Sequence, residues 1–153
     1  MNKKILLLAS IVVLAVVAIG SVSAFDLGSL TGGDEGTTVT IGGEEFTIPA
    51  GYEENTDLAV DDNVTEYSTF TSTLNEKVFD KGDDFIIIMV SEYDGTDVDD
   101  DLINFLHGES KKINDIEGFQ QNDDTTFSFS YGKDNKVITV SATQEEVLNQ
   151  IIA

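Results

Sequence analysis

FSFSYGKDNKVITVSATQEEVLNQII, residues 127–152, carries a hairpin and a helix in one continuous stretch. Phe127, Phe129 and Tyr131 alternate with Thr126, Ser128 and Ser130, the two-residue period of a strand with one apolar face. A polar turn follows, and Ile138 and Val140 lead the returning strand. Thr143 and Glu146 then stand in T-x-x-E spacing, which predicts a capping box for a final helix burying Val147, Leu148, Ile151 and Ile152.

Working outward, VTIGGEEFTIP at 39–49 predicts a second hairpin. Gly42 and Gly43 fit a two-residue turn that needs positive φ at both positions. That turn pairs Ile41 with Glu44 and Val39 with Phe46, placing Val39, Ile41, Phe46 and Ile48 on one face, and Pro49 ends the strand because it has no N–H to donate. A further strand falls within TEYSTFTSTLNEKVF at 65–79, where Phe70, Ser72 and Leu74 alternate, and DKGD turns the chain into FIIIMV at 85–90. The latter is apolar on both faces, as a central strand covered on each side would be. Asp97 or Asp99 can cap a helix with Val98, Leu102, Phe105 and Leu106 at three- and four-residue spacing, stopped by Gly108. Residues 38–153 therefore read as one α+β domain, a mainly antiparallel β-sheet with two short helices and few crossovers. Its expected core is Phe85, Ile87, Phe127, Phe129, Ile138, Val140 and Leu148.

Charge divides the chain. Residues 1–24 hold only Lys3 and Lys4 ahead of ILLLASIVVLAVVAI, with Val22 and Ala24 in small-residue spacing before Phe25. This predicts a signal peptide cut after Ala24 or, uncut, a membrane anchor through residues 5–25. Residues 25–37, including DLGSLTGGDEGT, form a flexible glycine-rich linker. Either outcome predicts an extracytoplasmic domain, secreted or anchored to the cell membrane. Six lysines against all 29 Asp and Glu leave residues 25–153 with a formal charge of −23, and the chain has no arginine. Such a domain repels phosphate backbones, which argues against nucleic acid and favours cations and a basic protein or wall polymer as partner. Without cysteine there is no disulfide, thiolate metal site or cysteine nucleophile.

FTIPAGY at 46–52, INDIEGF at 113–119 and the closing FSFSYGKDNKVITVSATQEEVLNQII resemble short exported proteins of unknown function from methanogenic archaea. These motifs are structural and carry no catalytic residue. In element order the domain is also similar to the α/β sandwich of the PsbP/Mog1 type; that resemblance implies partner binding without enzymatic activity.

Catalysis lacks an inventory. His107 is the single histidine and has no second member for a constellation, and the chain contains neither a G-x-S-x-G elbow nor a G-x-x-x-x-G-K loop. A carboxylate-based hydrolase remains an alternative, but 29 acids guarantee chance pairs and single out none. In EYDGTDVDDD at 92–101, Asp97, Asp99 and Asp101 copy the first alternate ligands of a calcium loop, so Ca²⁺ is the one candidate cofactor. Leu102 replaces the loop's glycine and Gly108 its closing glutamate, and helix capping explains the same acids. Asn63 with Thr65 forms an N-x-T acceptor for glycosylation, in a segment polar enough to read as a surface loop. The expectation is an extracytoplasmic cell-surface or envelope-associated interaction module that is not an enzyme. A Ca²⁺-dependent binding module or a purely structural wall component are its non-catalytic rivals.

Overall fold

A computed structural model of the chain describes residues 36–99, 102–103 and 108–152. The Gly42–Gly43 turn forms as the sequence requires. It joins β1 (Thr37–Ile41) to β2 (Glu44–Ile48) with φ of 54° and 81° at the two glycines and pairs Ile41 with Glu44 and Val39 with Phe46. Gly42 is needed twice over: besides its positive φ, a Cβ there would lie 2.7 Å from a methyl of Val90 in the sheet beneath.

That sheet contains β3 (Glu53–Glu54), β4 (Val60–Glu66), β5 (Thr71–Lys81), β6 (Asp84–Asp94), β7 (Glu109–Ile113), β8 (Ile116–Asn122), β9 (Phe127–Lys133) and β10 (Lys136–Ala142). Their order is β3-β5-β6-β10-β9-β8-β7, with β4 beside β3 on the same edge of β5, and every pairing is antiparallel. The run 85–90 lies in β6, between β5 and β10, which explains its two apolar faces. One long connection leads from β6 to the far edge at β7, a crossover not expected from the sequence, after which β7 to β10 return as a meander. Two of the three meander turns, Asn114–Asp115 and Asp134–Asn135, have positive φ at their two central residues, the conformation that matches strand twist and that Asn and Asp tolerate.

The sheet's upper face carries Phe79, Ile86, Ile88, Phe129, Ile138 and Val140, and is covered by the β1–β2 hairpin and by α1 (Glu145–Ile151). Val147, Leu148, Ile151 and Ile152 are buried as expected. Gly118 admits the ring of Phe129, whose Cζ would lie 2.6 Å from a Cβ at that position. On the lower face, Val78, Ile87 and Met89 form one cluster, and Phe70, Tyr93 and Val137 form another with Leu102 and Ile103 of the crossover. Five of the seven expected core residues are buried; Phe85 and Phe127 lie at strand ends and are only partly covered.

Three expectations need correction. Thr143 does not cap the last helix: Gln144 holds the N-cap position, with no side-chain hydrogen bond. The Thr143 hydroxyl instead donates to Asp84 Oδ1 at 2.8 Å and accepts the Phe85 N–H at 3.4 Å, tying the helix start to β6. Residues 60–66 form an edge strand, because β5 supplies a ladder that their exposed side chains do not advertise. The strand sought within 65–79 begins at Thr71, after a tight connection closed by Tyr67 N–H donating to Phe70 O, and continues to Lys81. The described residues thus make a mainly antiparallel sheet with one short helix. Leu102 and Ile103 are helical, and the rest of the helix expected around them lies outside the described residues.

Candidate functional site

The two pieces of the upper layer, hairpin and helix, leave a cleft of about 320 Å³ where they meet over β8 and β9. That is at the low end for a small-molecule site and large enough for one long side chain. Its apolar walls are Phe46 from β2, Ile116 from β8, and Ile151 and Ile152 from the end of α1; its polar groups include Glu44, Tyr131 and Lys133. The helix wall is fixed from below. Asn114 Nδ2 donates to Asn149 O at 2.8 Å and Ile152 O at 2.9 Å, satisfying carbonyls that a helix end leaves open, while Lys111 pairs with Glu145 at 2.7 Å.

Glu44 dominates the chemistry. The register that buries Ile41 puts its partner Glu44 on the same inward face, in line with Phe46 and Ile48. Its side chain is only 11% exposed. Lys133 Nζ donates to Oε2 at 2.6 Å and Lys136 Nζ to Oε1 at 2.8 Å, and Lys136 also donates to Gly42 O at 3.0 Å. These two lysines, by hydrogen bonding first and charge second, hold the Glu44 carboxyl below its ordinary pKa against the opposing effect of burial. Burial, helped by the negative charge of Glu44, pushes the Tyr131 hydroxyl up to about 12, so it stays protonated at neutral pH. The cleft therefore offers the ionised Glu44 carboxylate, the exposed Glu45 side chain, the Lys133 ammonium and a neutral phenol among apolar walls, while Lys136 holds Glu44 from outside the lining.

The residues singled out in the sequence lie elsewhere. Asp97 and Asp99 are exposed at the start of the crossover, and Asp99 Oδ1 accepts the Leu102 N–H at 2.9 Å, a helix N-cap bond. Asn135 of the β9–β10 turn organises the preceding loop: its Oδ1 accepts the Val98 N–H at 3.0 Å, and its Nδ2 donates to Thr96 O at 3.1 Å and to Tyr93 O. Asp101 and His107 lie outside the described residues. Among the described residues, no three His, Asp or Glu side chains converge as metal ligands. Asn63 and Thr65 are exposed on β4, in a strand rather than the loop expected.

Glu44, Lys133 and Lys136 were missed because the lysines stand 89 and 92 residues from their carboxylate. The one local signal was the hairpin register, which buries Glu44 once Ile41 is buried. No protein-family model matches this chain, and neither does any curated protein or solved structure.

Proposed function

We propose that this chain is an extracytoplasmic interaction module that holds a partner without transforming it, with the cleft at Glu44 as its recognition site. The state of Glu44 carries this reading. A carboxylate held ionised by two ammonium groups has no proton to give at neutral pH and little basicity with which to take one, so it suits recognition better than acid–base chemistry. The next residue, Glu45, is exposed on β2 and also lines the cleft, so the carboxylate-based hydrolase keeps a second acid at this site, and a turnover assay separates it from the binding reading. The apolar, weakly basic first 24 residues and the glycine-rich linker support a position outside the cytoplasm, secreted or tethered near the membrane.

Two measurements test this. N-terminal sequencing of native protein should find a start at Phe25. Crosslinking on intact cells should recover a defined partner with wild-type protein, and substitution of Phe46 and Ile116 by serine should abolish its recovery. Turnover of a glycoside or ester substrate that disappears in Glu44→Gln would replace this reading with the hydrolase.

A further inference from the structure

The two lysines on Glu44 are unequal. Lys136 is 15% exposed and bonds both Gly42 O and Glu44 Oε1, joining the turn of the covering hairpin to the turn of the sheet beneath. Lys133 is 54% exposed, has only its bond to Oε2 among the described contacts, and stands on the rim of the cleft. Water can replace an exposed ammonium at little net loss, whereas Lys136 cannot leave without freeing two acceptors at once. We infer that Glu44 Oε2 is the recognition carboxylate for a lysine side chain of a basic partner protein, and that Lys133 is its exchangeable internal stand-in.

This rests on the interaction-module reading and adds the ligand's chemistry to it. The walls formed by Phe46, Ile116, Ile151 and Ile152 suit a methylene stem whose charged end reaches the carboxylate. The surplus of carboxylates concentrates cations around the chain and disfavours an anionic ligand. Lysine is preferred to arginine for a geometric reason. A guanidinium gains most by gripping both oxygens of a carboxylate free of other donors, and here Lys136 keeps its place on Oε1, so the oxygen that Lys133 vacates, Oε2, suits a single ammonium best. Incoming lysine replaces Lys133 at Oε2, and Lys133, already half in solvent, turns outward without any change in the fold.

The test is titration of the ¹⁵N-labelled full chain with Nα-acetyl-lysine amide, followed through backbone amide shifts. Saturable shifts at Glu44, Ile116, Gly132 and Lys133 are expected, weaker ones with the arginine analogue, and none with the Nε-acetylated, uncharged form. Lys133→Met removes the competitor and should tighten binding by up to about fivefold, the range of an exposed ion pair. Lys77→Met makes the same charge change in a separate ion pair with Glu54. It sits three strands away, about 14 Å by strand spacing and beyond the screening length of about 8 Å, so binding should stay within about 1.5-fold. Glu44→Gln should abolish the shifts and lower the urea midpoint, because Lys136 loses its counter-charge, while a dispersed backbone amide spectrum shows that the fold persists. Equal tightening by Lys133→Met and Lys77→Met would overturn the inference in favour of overall charge. So would shifts confined to residues 61–66 or 92–99, or a Lys133→Met variant that binds more weakly. A partner recovered from cells whose binding ignores Glu44→Gln would also overturn it and leave the module reading standing; no partner in either assay would sink that reading too.

Discussion

Glu44 and Glu76 are buried almost equally, at 9% and 8% exposed, and their environments drive them in opposite directions. Glu44 meets two ammonium groups and is held below its ordinary pKa. Glu76 lies on the lower face of β5, with Val60 and Met89 as cross-strand partners and Leu74 and Val78 flanking it on its own strand. Among the described residues its Oε2 has no hydrogen-bond partner, and burial raises its pKa. Burial therefore does not decide whether a carboxylate here is an asset. Its partners do: desolvation opposes the charge at both sites, and only at Glu44 do hydrogen bonds and attraction exceed it.

The largest way to break the contrast is to take Lys136 from Glu44. Lys136→Met leaves a buried carboxylate with one exposed partner and orphans Gly42 O, so the loss should be about 3 kcal/mol, at the low end for a broken buried pair because Lys133 remains. Urea unfolding measures it, and the pKa of Glu44 from carboxyl NMR should move up, toward the behaviour of Glu76. A loss equal to that of Lys133→Met would mean the two lysines are interchangeable.

The opposite change should stabilise. Glu76→Leu replaces a buried carboxylate, one of whose oxygens lacks a partner among the described residues, by a side chain of similar size that matches Leu74, Val78 and Met89. At neutral pH the unfolding free energy should rise by about 1–2 kcal/mol, within the range gained when buried charge gives way to apolar packing. Destabilisation at pH 7 would show that Glu76 has a partner at neutral pH.

How far the sequence foretold this architecture depends on the range of the interactions involved. The Gly42–Gly43 hairpin, the run 85–90 and the hairpin at 127–142 were legible because turn chemistry and alternation act over a few residues. Strand β4 was not. Asp61 to Glu66 are exposed on both faces, so no apolar period marks them, and only the ladder of β5 makes them a strand. Thr143 carried the right local signature for a cap, but Asp84, 59 residues away, offers its hydroxyl a better-placed partner. The cleft was illegible for the same reason: its carboxylate and its cations come from opposite ends of the domain, and the two walls from different secondary structures.

Acidity should then separate the two glutamates. A raised folded pKa makes Glu76's contribution fully present below the ordinary glutamate value of 4.5 and lost as pH rises through its folded pKa. A lowered folded pKa makes Glu44's contribution present above 4.5 and lost as pH falls through its own folded value. The advantage of Glu76→Leu should therefore shrink toward zero as pH drops from 7 to below 4.5, while wild type passes through a mildly acidic optimum. Comparing the two proteins at each pH cancels the general relief of repulsion among the other acids. An advantage independent of pH would assign the gain to packing alone.

The smallest effect belongs to the second lysine of Glu44. Lys133 gives up one hydrogen bond and no burial of consequence when replaced, and Lys136 keeps Glu44 ionised, so Lys133→Met should cost less than about 1 kcal/mol. Salt refines this value. An exposed pair is screened, so the difference from wild type should fade between low salt and about 1 M NaCl, where the screening length is about 3 Å. The Lys136→Met loss should persist there, because orphaning a buried acceptor is not a screened effect. Unfolding both variants at the two salt concentrations separates the fixed contact from the exchangeable one without reference to any ligand. If the Lys133→Met loss were as large as that of Lys136→Met and equally indifferent to salt, Lys133 would be a structural tie and could not yield its place on Glu44.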